Sequence, residues 1–259
     1  MARKWSVEEE NAGTIELSRL YLSQNLTISE IAPKLGIAES SVFVRLIRLG
    51  IPTRPELKTR YRNKRNDIFL PKHSVQLAEF IGIMLGDGHV SHYQVMVTLG
   101  TKEYAYVLYV QKVMQELFGV AATISKKKSG YHDVYIGSTI ITMWLKGMGL
   151  VSNKVATQVG VPSWISSKKS YMRAFVREFF DTDGSVYKLR FGVQISITNH
   201  SMPLLLALQS MLKSLEYNVS AISAHRIYIT KRADVIRFFE EVRPQNTKHV
   251  ARFEEFMRR

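Results

Sequence analysis

The segment Phe80-Ile-Gly-Ile-Met-Leu-Gly-Asp87-Gly88 has a counterpart 96 residues later, Val176-Arg-Glu-Phe-Phe-Asp-Thr-Asp183-Gly184. Each segment is an apolar run with helical spacing, and each ends in an aspartate followed directly by a glycine. One such segment alone would indicate only a turn, since Asp-Gly is a common hairpin signal. Two of them at a domain-sized spacing indicate a duplicated unit that presents two carboxylates.

Further matched segments follow the two aspartates in the same order. The alternating segment Gln94-Val-Met-Val-Thr98 corresponds to Gln194-Ile-Ser-Ile-Thr198, and each alternation is typical of a strand. After these strands the first half is predicted to form a helix, a hairpin and a second helix, at 104–118, 120–125 with 131–136, and 139–147. The same elements are predicted in the second half at 203–215, 219–223 with 226–229, and 234–242. An ordered series of this kind indicates internal duplication.

Charge composition points to a polyanionic partner. The 259 residues include 36 Lys and Arg against 22 Asp and Glu, a net charge of +14. Nucleic acid is the first candidate and an anionic membrane surface the second. The sequence contains no apolar stretch of transmembrane length, no signal-peptide core after its first residues and no cysteine. We therefore expect a cytoplasmic protein, or one of the nucleoid or an organelle matrix.

Residues 1–52 resemble a helix-turn-helix module. Thr27 and Glu30 have the spacing of a capping box, Gly36 permits a tight turn, and a second helix is predicted to end at Gly50. Pro33 departs from the pattern, because a proline beyond the first turn removes a backbone hydrogen bond. In this interpretation the second helix faces DNA with Ser40, Ser41, Arg45 and Arg48. The alternative is a small helical hairpin without a DNA role.

Residues 53–73 form a basic linker. Within its residues 53–65, six side chains are cationic, among them Arg60 and Arg62, against one acid, Glu56. Such a run is usually a solvated linker. Between two modules that bind DNA it would also contact the phosphate backbone.

Residues 74–259 resemble the LAGLIDADG homing endonucleases, specifically the single-chain type with two motif copies. The resemblance rests on Gly82-Ile-Met-Leu-Gly-Asp87-Gly88, on Phe179-Phe-Asp-Thr-Asp183-Gly184-Ser, and on Gly149-Leu-Val-Ser-Asn-Lys154 with Pro162-Ser-Trp164-Ile. It implies repeats at 74–167 and 168–259 and an α+β fold, a tandem αββαββα pseudo-twofold repeat that forms a saddle of two antiparallel sheets. The helix-turn-helix module would add a small all-α domain.

The resemblance also implies the catalytic groups. Asp87 and Asp183 would bind divalent metal at the pseudo-twofold axis, with Gly86 and Thr182 also contributing to the metal site. Phosphodiester hydrolysis requires a metal ion to neutralise charge and activate water, and carboxylate oxygens suit Mg²⁺. We expect Mn²⁺ to substitute and Ca²⁺ to bind without cleavage.

A basic residue near the metal assists in this family. Lys231 occupies the corresponding place in the second half, where its alternative role is a phosphate contact, whereas the first half has Ser138. Lys154 and Lys248, which match each other in the repeat, are the second choice.

Two residues depart from the family pattern or stand beside the motif. Glu178 lies where glycine is usual at the tight helix crossing, so it must point outward, find a partner or loosen the crossing. Asp181, two residues before Asp183, is expected to be a solvated residue at the end of the helix and not a metal ligand.

Candidate DNA contacts come from the strands and loops of both halves. Outward-facing strand residues suit base contacts in the major groove, and basic hairpin residues suit phosphate contacts. The histidines show no metal-ligand spacing. The base contacts are predicted at Gln94, Thr98, Arg190, Gln194, Ser196, Thr198 and Arg226, and the phosphate contacts at Lys126, Lys127, Lys128 and Lys188.

The leading hypothesis is a site-specific, Mg²⁺-dependent endonuclease for double-stranded DNA that leaves staggered ends, as in intron homing. It would be a monomer, because both halves lie in one chain. One alternative is a transcriptional regulator that retains the fold as a DNA-binding module without cleavage. The other is an RNA-splicing maturase.

Overall fold

The computed structural model describes residues 7–51, 53, 67–127, 129–190 and 192–258. The predicted DNA contacts Arg60, Arg62 and Lys128 lie outside the described residues, as does most of the basic linker. The chain divides into two compact units, residues 1–64 and 65–259. No helix in the described part of the chain is long and apolar enough to cross a membrane.

The described part of the first unit is helical. It contains α1 (Val7–Ser18) with a π-helical segment directly after it, α2 (Ile28–Leu35) and α3 (Glu39–Arg48). The predicted capping box is confirmed: Thr27 Oγ1 accepts the Glu30 amide at 3.2 Å, and Glu30 Oε2 accepts the Thr27 amide at 2.7 Å. Gly36 makes the turn in the left-handed conformation, with φ 62°. The core of this unit is formed by Leu17, Leu20, Tyr21, Ile31, Val42 and Leu46.

The second unit is an α+β domain with two antiparallel sheets. Its first half contains α4 (Val75–Gly86), β1 (Gly88–Val90), β2 (Gln94–Gly100), α5 (Tyr104–Phe118), β3 (Thr123–Lys126), β4 (Tyr131–Gly137) and α6 (Thr139–Gly147). Its second half contains α7 (Lys169–Asp183), β5 (Gly184–Leu189), β6 (Gly192–Thr198), α8 (Met202–Ser214), β7 (Arg226–Ile229), α9 (Arg232–Glu241) and α10 (Thr247–Met257). The strand orders are β1-β2-β4-β3 and β5-β6-β7.

The two halves differ at their second hairpin. Residues 219–223 were predicted as a strand, but they pair with β7 only through the Ser220 amide to the Tyr228 carbonyl and through the Ser223–Arg226 bridge. Ser220 Oγ accepts the Tyr228 amide at 3.0 Å, so a side chain replaces the backbone carbonyl in the ladder. The strand prediction is wrong here, and the second sheet has three strands where the first has four.

Where helices α4 and α7 cross, only α4 contributes glycines to the contact. A methyl group added at Gly82 would lie 2.7 Å from the carbonyl oxygen of Phe175 and 3.0 Å from Cβ of Glu178. A methyl group at Gly86 would overlap the side chain of Thr182. The absent side chains on α4 therefore make room for the larger ones on α7, and the crossing remains tight.

Glu178 finds partners inside the protein. Its carboxylate is fully buried and accepts hydrogen bonds from the hydroxyls of Tyr106 and Tyr109, at 2.9 and 2.8 Å, and from Arg177 Nε at 2.8 Å. Arg177 also pairs with Glu79 of α4. A buried carboxylate is tolerated only when it is paired and hydrogen-bonded, and this network meets that condition while tying α4 and α5 to α7.

We predict that Gly82→Ala destabilises the second unit. The added methyl must displace the α7 backbone at Phe175, and such overpacking costs about 1–3 kcal/mol. Chemical denaturation would measure the loss. Gly147→Ala is the matched control, because a methyl there meets nothing within 4 Å and alanine favours the helix. Equal stability of the two variants would contradict the close crossing.

Candidate functional site

Both motif aspartates lie where a helix passes directly into a strand. Asp87 follows the last residue of α4, and Asp183 is the last residue of α7. The next residues, Gly88 and Gly184, open β1 and β5, and a side chain at either would clash with the helix before it, at Met84 or Phe180. The helix crossing and the glycines together hold the two carboxylates at matching positions.

The charge of Asp87 acts on the carboxyl group of Asp183. Burial raises the pKa of Asp183 to about 7; the Asn199 hydrogen bond lowers it, and the negative charge of Asp87 raises it further. One side of Asp87 remains exposed to solvent, yet burial by the surrounding protein still raises its pKa, against the charges of Lys248 and Lys154. Two clustered carboxylates with raised pKa values are typical of a functional site.

Lys154 and Lys248 are the lysines at the carboxylate pair. Lys154 Nζ donates to the final carbonyls of α4, at 3.2 Å for both Met84 and Leu85 and also to Gly86. Burial lowers the pKa of Lys154, whereas the charges of Asp183 and Asp87 raise it. Lys248 donates to Glu103 Oε1 at 2.5 Å. Each half therefore contributes one cation near the pair, and the two cations are held by different contacts.

Lys231 follows the end of β7 by two residues, whereas the residue of β7 in register with Gly184 is Ile227. Lys231 is exposed at the N-cap of α9, and its charge acts on Asp234. The lysine charges that act on both motif aspartates come from Lys154 and Lys248.

Asp181 is not solvated, and that prediction is wrong. Its side chain is fully buried, and Oδ2 accepts the Gln245 amide at 2.6 Å. Its carbonyl oxygen accepts Asn246 Nδ2 at 3.2 Å. Burial raises the pKa of Asp181 well above its usual range, and the charge of Glu178 adds to the effect. The sequence missed this role because the start of α10 packs over the end of α7, which no local pattern indicates.

The predicted base contacts lie largely on one face of each sheet. Val95 and Val97 are buried while Gln94 and Thr98 alternate with them, and β6 repeats this alternation. Gln194 and Thr198 are partly accessible, Arg226 pairs across the strands with Thr198 and is exposed, and Arg190 is exposed in the turn after β5. Ser196 differs, because it is buried between Ser185 and Tyr228.

The predicted phosphate contacts lie in different kinds of structure. Lys126 ends β3 and Lys127 lies in the loop after it. Lys188 lies within β5, opposite Val193, so it is not a loop residue and stands on the other face from Gln194. The sequence also missed Asp133, which accepts the Thr98 hydroxyl at 2.8 Å and pairs with Lys127 at 2.9 Å. Its only sequence signal was its alternation in β4.

The predicted contacts of the first unit lie on α3. Ser40 and Arg48 are exposed, and Ser41 and Arg45 are half-buried. Phe43, the apolar residue beside them, is also exposed.

The oxygen donors of the site fit a hard divalent cation. Mg²⁺ usually binds through one or two carboxylates and completes its octahedron with water and substrate phosphates. Among the described residues, no group of three or more His, Asp and Glu side chains is arranged to hold a metal ion. Asp87 and Asp183 would supply the carboxylates for such an ion. The Gly86 carbonyl already accepts Lys154.

A family model described as a LAGLIDADG-like domain matches residues 74–149 and 170–243. The chain belongs to the LAGLIDADG family. The two matched segments contain the two motif helices, α4 and α7, and each runs on through the strands that follow its helix.

Two solved structures and one sequence relative are similar to parts of this chain. The homing endonuclease I-DmoI, in complex with DNA and Ca, is 16% identical with a TM-score of 0.49, over 65% of this chain and 88% of that one. The N-terminal LAGLIDADG domain of DUF199/WhiA is 16% identical with a TM-score of 0.46, over 66% and 83%. A replication factor C small subunit of Methanocaldococcus jannaschii is 27% identical over 146 residues, which are 56% of this chain and only 7% of the relative's length.

We predict that Asp183→Asn stabilises the metal-free protein at high pH. Between its ordinary pKa of 3.8 and its folded value of about 7, Asp183 keeps a proton in the folded state that it loses on unfolding. Wild-type stability is therefore fully present below the lower value and falls as the pH rises to about 7. Asparagine removes this dependence.

Melting temperatures in EDTA at pH 4, 6 and 8 would test this. The advantage of Asp183→Asn should grow with pH. Asp234→Asn is the control with the opposite sign, because hydrogen bonds from Asn218 hold the pKa of Asp234 below its ordinary value despite burial. A difference between Asp183→Asn and wild type that does not change with pH would contradict the raised pKa.

Proposed function

We propose that this protein is a site-specific endonuclease that hydrolyses both strands of duplex DNA with a divalent metal ion and leaves staggered ends. The observation that carries the proposal is the pair of motif aspartates, which lie at the ends of two crossing helices, where the charge of Asp87 raises the pKa of Asp183. A protein that only binds DNA has no need of two mutually repelling carboxylates. The net charge of +14 suits a duplex substrate.

Asp87 and Asp183 would hold the metal ion, with Mg²⁺ as the expected species and Mn²⁺ as a substitute. A bound divalent cation supplies neutralisation of the phosphate charge and a lowered pKa for the attacking water. The two carboxylates fix where that charge is placed, and each would serve one strand. Gly86 and Thr182 set the spacing of the pair through their contact at the helix crossing.

Lys154 and Lys248 would stabilise negative charge at the phosphates. Both lysine side chains are half-buried. Lys154 is held by the Met84 carbonyl and Lys248 by the Glu103 carboxylate, so both ammonium groups are oriented before substrate arrives. Lys231 remains a prediction from the sequence, and its exposed position at the start of α9 suits the alternative role of a phosphate contact.

DNA recognition would use both units. In the second unit we assign it to the outer residues of the two sheets, above all Gln94, Thr98, Gln194 and Thr198, with Arg226 at the edge. In the first unit we assign it to α3, where Ser40 and Arg48 are exposed. We propose four segments in the chain. They are the helix-turn-helix module at 1–52, the basic linker at 53–73, the first repeat at 74–167 and the second repeat at 168–259. A single chain that carries both repeats would act as a monomer.

The decisive experiment is incubation with a randomised duplex library in Mg²⁺, with Ca²⁺ in parallel, followed by sequencing of the new ends. We expect discrete staggered ends in Mg²⁺ alone. Asp87→Asn and Asp183→Asn should each abolish the cut of at least one strand and leave binding in Ca²⁺ largely intact. Specific binding without cut ends in either metal would instead favour a DNA-binding regulator, and preference for intron RNA would favour a maturase.

We predict a second effect from deletion of residues 1–52. The truncated protein should still cut, because the carboxylate pair lies in the compact unit of residues 65–259. Its footprint should be shorter and its affinity weaker. Footprinting and titration against the selected duplex would measure both, and an unchanged footprint and affinity would show that the first unit does not read DNA.

A further inference from the structure

The two motif aspartates are supported by different neighbours. Asp183 Oδ2 accepts a hydrogen bond from Asn199 Nδ2 at 2.7 Å. Among the described residues no side chain donates a comparable bond to Asp87. The residue that corresponds to Asn199 in the first half is Leu99, as the register shows, because the motif glycines pair with Val97 and Ile197 respectively. Leu99 has no donor, and its side chain is buried in the core.

The difference arises from the length of the second hairpin. In the first half, β2 remains paired with β4 as far as Gly100 and Tyr131, so Leu99 is a strand residue directed into the core. In the second half the pairing of β6 and β7 ends at Thr198 and Arg226. Asn199 is then free to leave the sheet and reach Asp183.

A two-residue turn causes this early end. Ala224 and His225 both adopt left-handed backbone angles, with φ 47° and 59°, which are uncommon for residues with a side chain. The turn is closed by the Ser223–Arg226 pair, and the His225 carbonyl accepts the Asn199 amide at 3.0 Å. The strained turn therefore holds the backbone of Asn199.

The side-chain amide of Asn199 is fixed at both ends. Its Oδ1 accepts the Ser201 amide at 2.8 Å, so its Nδ2 must point to Asp183. The donor is thus held in one orientation, and it restrains the carboxylate in turn.

We propose that Asn199 is a positioning residue for Asp183, which makes the two strand cuts depend on carboxylates that are oriented by different means. The inference rests on the proposed function. Loss of the Asn199 donor would slow the cut that depends on Asp183 and leave the other cut unchanged.

Two variants separate the donor from the turn. Asn199→Asp has nearly the same shape and keeps an oxygen for the Ser201 amide, but it cannot donate to Asp183. Asn199→Leu introduces the residue of the first half. The matched control is Asn218→Asp, because Asn218 Nδ2 also donates to an aspartate at 2.7 Å, to Asp234, away from the site.

The test is single-turnover cleavage of the selected duplex with a different label on each strand, at saturating protein in Mg²⁺. Asp183→Asn identifies the strand that depends on Asp183. We expect both Asn199 variants to slow that strand by about ten- to a hundredfold, as misplacement of a reacting group does, and to accumulate nicked duplex. Binding in Ca²⁺ and the rate on the other strand should match those of Asn218→Asp.

Other outcomes overturn the inference. Equal slowing of both strands, or no slowing beyond that of the control, would show that Asn199 serves the fold alone. An effect of Asn199→Leu without an effect of Asn199→Asp would assign the role to the turn and not to the donor. If wild-type protein cuts neither strand, the proposed function fails and this inference fails with it.

Discussion

Helices α4 and α7 can approach closely because Gly82 and Gly86 have no side chain where they face Phe175, Glu178 and Thr182. Every group of the site depends on this approach. The aspartates follow the contact by one residue, the strands begin directly after them, and Lys154 donates to the last carbonyls of α4. The close approach also raises the pKa of Asp183, since this carboxyl group lies in the field of Asp87.

The destabilising effect of the site is offset by stabilising contacts elsewhere in the same domain. Repelling, partly buried carboxylates destabilise the metal-free fold at neutral pH, whereas the buried network of Glu178, Arg177 and two tyrosines ties three helices together. Asp181 likewise ties the segment before α10 to α7, because it accepts the Gln245 amide. Glu178, Asp181 and Asp183 of α7 all have pKa values raised by burial, but Glu178 and Asp181 tie other segments to α7, whereas Asp183 lies beside the charge of Asp87.

Duplication gave the two halves one plan, but their supporting contacts have diverged. Lys154 caps the end of α4, whereas its counterpart Lys248 is held by Glu103 of the other half. The second sheet has three strands where the first has four, and Asn199 occupies a place at the carboxylate that Leu99 cannot take. Under the proposed function, the two DNA strands would therefore be cut by carboxylates with different support.

The sequence by itself determined the repeat, the α+β class, the helices that carry the aspartates and the strand alternation, because these follow from local periodicity and from matched segments. It also showed that Glu178 needs a partner, but not which one. Only the tertiary structure decided the rest: the partners of Glu178, the burial of Asp181, the contacts of Lys154 and Lys248, and the contact of Asn199. Each of these depends on residues distant in the chain that meet in space, and no spacing within one segment records such a meeting.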